Sequence, residues 1–221
     1  MIALAPPTKI DKLLHDGAGQ LGISLSKSVI DSMVLYIDIL SEWNDRVNLT
    51  SLTDHIDVAI LHFLDSLTVF KVVPYNSTLT ILDIGSGGGF PGMVLRVADP
   101  TKKVSVLDKS SKKIVFLKHV ANCLNLKDVV FLNFDYRSLF EYHESYLFDV
   151  VTIRGFSSDA KILNSFAHFL KPSGAMIRMV GPTQENYSET FQFFELSDIW
   201  EGRLPFSSHQ RKVIRYEKIV R

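Results

Sequence analysis

Residues 80–92 read TILDIGSGGGFPG, and this stretch decides how the rest of the chain is interpreted. An apolar run ends at Asp83, and five glycines follow between positions 85 and 92. Glycines allow positive φ and let a ligand approach the backbone closely. Pro91 suits the first turn of a helix, where its missing N–H leaves no hydrogen bond unmade. The segment therefore predicts a buried strand, a ligand-binding turn and then a helix. The turn residues expected to contact the ligand are Gly85, Ser86, Gly87 and Gly89.

Short apolar runs alternate with helical segments after residue 78. Nearly continuous hydrophobicity over a short run is typical of strands buried on both faces of a sheet. Helical segments at 111–124 and 159–170 lie between such runs, and this alternation predicts an α/β fold with a mostly parallel, doubly wound sheet. The closing residues 204–220 predict a loop and a last strand, which we expect to be antiparallel and at an edge. The apolar runs are LTILDIG, KVSVLDK, VVFLNF, FDVVTIRG and GAMIRMV.

The first part of the chain has a helical pattern instead. Apolar residues at spacings of three and four predict a helix that begins after Ser26, and Asp54 is placed to cap a second one. Residues 71–78, KVVPYNST, interrupt the pattern with a proline and several turn-forming residues. We therefore expect a helical N-terminal subdomain over residues 1–75 and a Rossmann-like domain over residues 76–221.

Two acids select the ligand of the glycine turn. Asp108 ends the second apolar run about 20 residues after Gly85, where a carboxylate can accept both ribose hydroxyls of an adenosine. That spacing suits NAD or S-adenosylmethionine. Asp83 favours S-adenosylmethionine, because the sulfonium and amino group of that cofactor are cationic. A dinucleotide presents a pyrophosphate, which gains nothing from a neighbouring carboxylate. A Walker loop is excluded, since no Gly-Lys-Ser/Thr follows the glycines.

Charge and composition limit the function classes. The 221 residues contain 24 Lys and Arg against 24 Asp and Glu, so the chain is not a uniformly basic nucleic-acid coat. One cysteine and no apolar run of about 18 residues predict a cytoplasmic protein without a disulfide or a membrane span. The positive charge is segregated, and we expect it to gather around the glycine turn. The residues concerned are Lys109, Lys112, Lys113, Arg203, Arg211, Lys212 and Arg215.

Further motifs narrow the function. They are NLT at 48–50, HFLDSL at 62–67, GSGGGFPG at 85–92, RGF at 154–156, LP at 204–205 and RKV at 211–213. In this combination they resemble the RsmG (GidB) family, whose members methylate guanine N7 in 16S ribosomal RNA. The resemblance covers nearly the whole chain. It implies S-adenosylmethionine as cofactor, and small-subunit ribosomal RNA or the assembled small ribosomal subunit as partner.

The resemblance also implies individual cofactor contacts. The matching positions are Gly85, Phe90, Asp108, Tyr136, Arg137 and Arg154. Two positions depart from the family's pattern. Residues 135–138 read DYRS where R-x-E-E is usual, so Arg137 replaces a carboxylate expected near adenine. Residues 180–182 read VGP where Lys-Gly is usual, so a lysine facing RNA is missing. These departures motivate one alternative, a family member that binds RNA or cofactor without turnover.

Guanine N7 carries a lone pair and no proton, so methyl transfer to it needs positioning and no general base. Arg154 is the first catalytic candidate, because it ends the fourth run at the ligand-binding edge; a salt bridge to the helical part is its alternative role. His62, Asp65 and Ser66 are further candidates on one helix, where a hydrogen-bond network is an equal alternative. The i,i+3 pair of His62 and Asp65 lacks further ligands, so no metal is expected.

We expect the chain to be a monomer. An NAD-linked oxidoreductase is the rival enzyme class for the same glycine turn.

Overall fold

The computed structural model describes residues 9–138, 147–156, 159–181 and 191–219. Among them, strands form one sheet in the order β3-β2-β1-β4-β5-β7-β6. The strands are β1 (Thr80–Ile84), β2 (Lys103–Leu107), β3 (Val129–Leu132), β4 (Phe148–Arg154), β5 (Leu170–Val180), β6 (Phe194–Arg203) and β7 (Gln210–Lys218).

Strand direction confirms the predicted α/β architecture. The pairs β1–β2, β1–β4, β2–β3 and β4–β5 are parallel, whereas β7 pairs antiparallel with both β5 and β6. The last strand is therefore antiparallel as predicted. Its expected edge position is wrong, because β6 lies outside it. The sequence did not reveal β6, since this edge strand (FELSDIWEGR) buries only Phe194 and lacks the apolar run of a central strand.

Helices cover both faces of the sheet. The N-terminal ones are α1 (Lys9–Gln20), α2 (Lys27–Val47) and α3 (His55–Val58), which continues through a π-helical turn (Ala59–Leu64), α4 (Asp65–Leu67) and a 3₁₀ turn (Thr68–Lys71). The others are α5 (Gly92–Ala98), α6 (Ser111–Cys123) and α7 (Ala160–Ser165), which a 3₁₀ turn (Phe166–Phe169) follows.

Both predicted N-caps are present. The Ser26 hydroxyl accepts a hydrogen bond from the Val29 amide at 3.4 Å, and the Asp54 carboxylate accepts from the Ile56 amide at 2.8 Å. Each cap satisfies an amide that the first helical turn leaves without a partner. Local sequence therefore determines where α2 and α3 begin.

Two apolar clusters lie on the two faces of the sheet. One contains Ile81 and Val104 of the sheet together with residues of α1, α2, α5 and α6. The other contains Leu82, Val151 and residues around α7. Because the N-terminal helices share a core with one face of the sheet, they are held against its glycine turn. A domain boundary between residues 75 and 76 stays a prediction.

Candidate active site

The glycine turn follows β1 at the carboxyl end of the parallel strands. Gly85, Gly87 and Gly89 have φ of 72°, 58° and 91°, a region that favours glycine. The Gly85 amide donates to the Leu107 carbonyl oxygen at 2.8 Å, which ties the turn to β2. A Cβ at Gly89 would collide with the hydroxyl of Tyr36, which itself donates to the Gly88 carbonyl oxygen at 2.6 Å. The turn is thus shaped by its glycines and supported by α2.

Asp83 lies beneath this turn and is 1% exposed. Its carboxylate accepts hydrogen bonds from the Gly92 amide at 3.1 Å and the Thr152 hydroxyl at 2.8 Å. Burial raises the pKa of Asp83 to about 6, although these hydrogen bonds oppose the change. Asp83 therefore joins β1 to α5 and β4. Its direct contact with a cationic cofactor group stays a prediction.

The pKa of Asp83 predicts a pH-dependent effect of Asp83→Asn, whose side-chain oxygen can accept from the Gly92 amide and whose NH2 group can donate to the Thr152 hydroxyl. An acid with a raised folded-state pKa contributes stability below its ordinary pKa of 3.8 and loses it as the pH rises through about 6. The variant should therefore gain free energy of unfolding relative to wild type between pH 4 and pH 7, by up to about 3 kcal/mol. Urea unfolding of both proteins across this range measures the difference. A difference that does not change with pH would contradict the assignment.

Asp108 follows β2 and faces the same turn. Its carboxylate accepts from the Gly87 amide at 3.0 Å and from the Ser110 amide at 2.8 Å. The side-chain amide of Asn133, after β3, donates to the Asp108 carbonyl oxygen at 3.1 Å. The structure thus brings Asp108 and the glycine turn together, as the sequence predicted. Its bonding to a ribose stays a prediction.

Tyr136 and Arg137, the predicted pair after β3, have different surroundings. The Tyr136 ring lies edge-on to Phe156 at 5.5 Å between centroids, and Phe156 also lies against Gly85, where a Cβ would stand 3.2 Å from its ring. Arg137 is exposed and donates two hydrogen bonds to Asp135, at 2.8 and 3.0 Å. These bonds lower the pKa of Asp135 to about 2. Tyr136 therefore lies near the glycine turn, while Arg137 is paired with a neighbouring carboxylate.

Arg154 ends β4 and reaches the N-terminal helices. Its Nη2 donates to the Leu61 carbonyl oxygen at 3.0 Å and to His62 Nδ1 at 2.7 Å. Its Nη1 lies 3.5 Å from Asp65 Oδ2, and Asp65 Oδ1 accepts from Arg211 Nε of β7 at 3.1 Å. Nη1 is buried and has no hydrogen-bond partner among the residues that the structure describes. Nη2 therefore fixes the guanidinium, and Nη1 has the Asp65 carboxylate as its charge partner without a hydrogen bond to it.

His62 holds Arg154 as a neutral imidazole. A guanidinium only donates, so Nδ1 must accept and Nε2 must carry the proton, which it donates to the Thr50 hydroxyl at 2.7 Å. Burial, and then the charge of Arg154, lower the pKa of His62 to about 3. The ring also stacks on Phe90, with centroids 4.5 Å apart. His62 thus connects the N-terminal helices, the glycine turn and Arg154.

Thr50 is a site residue that the sequence did not identify. The Asn44 side chain accepts from the amides of Leu49 and Thr50, both at 2.8 Å, and donates to the Thr50 carbonyl oxygen at 2.9 Å. The NLT motif contained this signal, but the spacing to His62 gave no reason to pair the two side chains. Asn44 therefore fixes the loop that carries the Thr50 hydroxyl.

Asp65 and Ser66 are both buried, with different consequences. Burial raises the pKa of Asp65, and the guanidiniums of Arg154 and Arg211 oppose that change. Ser66 donates its hydroxyl to the His62 carbonyl oxygen at 2.6 Å, within the helix. Asp65, Arg154 and Arg211 thus form one group of contacting side chains, the arginine cluster. The contacts of Ser66 give it a role in the helix backbone, and its catalytic assignment stays a prediction without support from its geometry.

The basic residues of the last strand do not all gather at the site. Arg211 contacts Asp65, whereas Lys212 pairs with Glu201 at 2.8 Å and Arg215 donates to the Val72 carbonyl oxygen at 3.1 Å. In segment 180–182, which departs from the family's pattern, Val180 is buried, and residue 182 lies outside the described residues.

Across the described part of the chain, no group of three or more His, Cys, Asp or Glu is arranged to hold a metal ion. Nor is any described helix long and apolar enough to cross a membrane.

Comparisons with known proteins identify the family of the chain. The model of the GidB family, "rRNA small subunit methyltransferase G", matches residues 29–214. Proteins named "Ribosomal RNA small subunit methyltransferase G" from Acetivibrio thermocellus and Geotalea uraniireducens are 33% and 32% identical to the chain. The matches cover 95% of this chain in both cases, and 89% and 97% of the relatives.

A solved structure supports the fold independently. The putative methyltransferase yhhF from Escherichia coli superposes with a TM-score of 0.56 at 12% identity, over 71% of this chain and 87% of that one. At that identity the likeness shows the fold alone. The family match contradicts the NAD-linked oxidoreductase that the glycine turn left possible. The chain belongs to the GidB family of small-subunit ribosomal RNA methyltransferases.

Proposed function

We propose that the chain transfers the methyl group of S-adenosylmethionine to guanine N7 in 16S ribosomal RNA. The observation that carries the proposal is the buried Nη1 donor of Arg154, fixed beside the glycine turn and left without a hydrogen-bond partner in the described residues. Guanine presents O6 and N7 as acceptors on one edge, and arginine commonly recognises that edge. Once RNA binding uncovers Nη1, its donation to O6 would orient the base and leave the N7 lone pair free.

The residues around the turn fit the proposed cofactor. A Cβ at Gly87 would stand in open space, with only the Gly85 carbonyl oxygen within 4 Å at 3.8 Å, so the turn presents a bare backbone surface. Asp108 lies at one end of this surface, and Tyr136 lies beyond Phe156 at the other. Asp108 would hold the ribose, and Tyr136 would border the adenine. When bound, S-adenosylmethionine supplies an electrophilic methyl group.

The chemistry of N7 explains the unusual state of His62. An imidazole with a pKa of about 3 is a poor proton acceptor at neutral pH, and both of its nitrogens are already bonded. Since N7 has no proton to lose, the site needs no base. Its residues orient the guanine and exclude water, so that N7 lies in line with the methyl group.

Mapping the methylated atom tests this function. Small ribosomal subunits that lack the modification are incubated with the protein and isotope-labelled S-adenosylmethionine, and the rRNA nucleosides are analysed by mass spectrometry. The expected product is 7-methylguanosine. Label on another atom of guanine would contradict N7 specificity. Cofactor binding without label transfer would favour the alternative of a protein without turnover.

The same preparation tests the partner and the assembly. Naked 16S rRNA and assembled small subunits are compared as substrates in parallel, because the site geometry is compatible with both. We propose a monomer that acts in the cytoplasm, since one chain carries every residue of the candidate site. Sedimentation of the active protein measures its mass, and activity confined to a dimer would contradict the monomer.

The proposed role of His62 predicts a strong effect of Thr50→Val. Valine keeps the shape of threonine but removes the acceptor that holds the Nε2 proton of His62. The Nε2 proton should then be buried without an acceptor and the ring should lose its fixed position, so kcat should fall by about tenfold or more. Thr50→Ser, which keeps the hydroxyl, should retain most of the activity. The Nε2–H shifts of the His62 ring report the loss of this hydrogen bond, and a lower kcat with unchanged shifts would contradict this explanation.

A further inference from the structure

The hairpin between β6 and β7 lies at the carboxyl end of the parallel strands, as the candidate active site does. Its loop comprises residues 204–209, and Arg203 pairs with Gln210 at its base. Lys212 of β7 pairs with Val180, and Arg154 pairs with Met179, so the hairpin and Arg154 lie at one end of adjacent strands. Arg211, the residue that precedes Lys212 in β7, donates to Asp65 at 3.1 Å. The hairpin loop thus borders the arginine cluster.

Phe206, at the tip of this hairpin, has two unfavourable properties. Its ring is 51% exposed, and its φ is +60°, a conformation that side chains other than glycine, asparagine and aspartate rarely adopt. The loop holds this conformation through hydrogen bonds from the Leu204 amide to the His209 carbonyl oxygen and from the Ser207 amide to the Leu204 carbonyl oxygen. A glycine or asparagine would fit the turn better. The aromatic ring therefore does not serve the fold of the loop.

The exposed ring also stands apart chemically. The large exposed apolar residues in the described part of the chain are Leu35, Val115, Val130, Leu147 and Phe206, and Phe206 is the aromatic one. The loop borders an open cleft of about 570 Å³ whose other walls include Arg203 and Gln20. An aromatic face, a guanidinium and several hydroxyl and amide groups match the base, phosphate and sugar of a nucleotide.

We propose that Phe206 stacks on an unpaired base of the RNA, next to the guanine that enters the site, while Arg203 faces the adjoining phosphate. The identity of this ligand rests on the proposed function. Stacking on an aromatic ring tolerates any base, because each base has a π-face. The hairpin would therefore add affinity for RNA close to the target without contributing to cofactor binding or to the transfer step.

Variants at residue 206 separate the ring from the loop. Phe206→Asn suits a positive φ and removes the ring, so it should raise the KM for small subunits about tenfold, a typical effect of losing one stacked base. Its Tm should equal or exceed that of wild type, and its Kd for S-adenosylmethionine should be unchanged. Phe206→Trp should keep the wild-type KM. The matched control is Leu147→Asn, an exposed apolar residue that precedes β4 at the opposite end of the parallel strands.

The outcomes distinguish this proposal from the proposed function. If wild type transfers no methyl group to 16S rRNA, the function itself fails. If wild type transfers it and Phe206→Asn has the same KM as Leu147→Asn, the stacking proposal alone is overturned. A photoreactive p-benzoylphenylalanine at position 206 identifies the contact directly: cross-links to 16S rRNA are expected, and cross-links to ribosomal proteins alone would overturn it.

Discussion

Arg154→Ala should lower kcat for methyl transfer by about a hundredfold or more. The side chain joins the Leu61 carbonyl oxygen and His62 through Nη2, and its Nη1, 3.5 Å from Asp65, is the donor proposed for the guanine. Transfer to N7 depends on holding the base in line with the methyl group, and a misplacement of about 1 Å commonly costs about a hundredfold in rate, roughly 3 kcal/mol. Single-turnover transfer to small subunits measures the loss.

Arg154→Lys should lose nearly as much activity as Arg154→Ala. An ammonium group is a point charge on a flexible stem, and it cannot reproduce the planar fork of a guanidinium that bonds to several partners at once. The control is Arg46→Ala, an exposed arginine in the last turn of α2, which should leave kcat unchanged. If Arg154→Lys kept wild-type kcat, charge alone would explain the residue, and the positioning role would be contradicted.

The parts of the fold that local sequence determines could be predicted. The glycine turn, the caps of α2 and α3, and the central strands each have a signal within about a dozen residues, in the form of positive-φ glycines, polar capping side chains and apolar runs. The strand β6 has no such signal. Among the described residues it pairs only with β7, and all of its ten residues except Phe194 are exposed or half-buried, so its sequence resembles that of a loop.

The candidate site, like the fold, has a part that local sequence predicts and a part that it does not. Arg154 could be predicted from its place at the end of an apolar run, and its neighbours His62 and Asp65 from their motif. Their mutual contacts could not, because the hydrogen bonds join residues 92 positions apart for Arg154 with His62 and 146 apart for Arg211 with Asp65. Thr50 depends on the tautomer of His62, which only the contact with Arg154 determines. The network interpretation of this helix is the one that the contacts of His62 favour.

The arginine cluster also refines the interpretation of the neutral net charge. Two guanidiniums, of Arg154 and Arg211, share a single carboxylate, Asp65, at the ligand-binding edge. The cluster as a whole therefore carries excess positive charge, although the chain as a whole carries none. A local excess of this kind attracts an anionic polymer to one place on a neutral surface. Its stability depends on the shared acid, which makes Asp65 the next residue to test.

Asp65→Asn should destabilise the protein by about 3 kcal/mol, the lower end of the usual cost of breaking a buried ion pair. An asparagine oxygen can accept from one arginine only, and its amide would face the other, which leaves a guanidinium without a counter-charge in a buried place. For a chain of this size the Tm should fall by roughly 6–12 °C. Glu201→Gln, which removes a surface pair with Lys212, should cost less than about 1 kcal/mol.

A second substitution tests whether the stability lost in Asp65→Asn comes from the unpaired guanidinium of Arg211. In the Asp65→Asn background, Arg211→Gln removes the guanidinium that has lost its partner, so the double variant should regain part of the lost stability. Methyl transfer should stay low, because Arg154 would still lack the carboxylate that holds Nη1 in place. Thermal unfolding and single-turnover rates of the two single variants and the double variant complete the cycle. If the two destabilisations simply added, Asp65 would not be the shared counter-charge of the two arginines, and the excess positive charge of the cluster would have to be balanced by another residue.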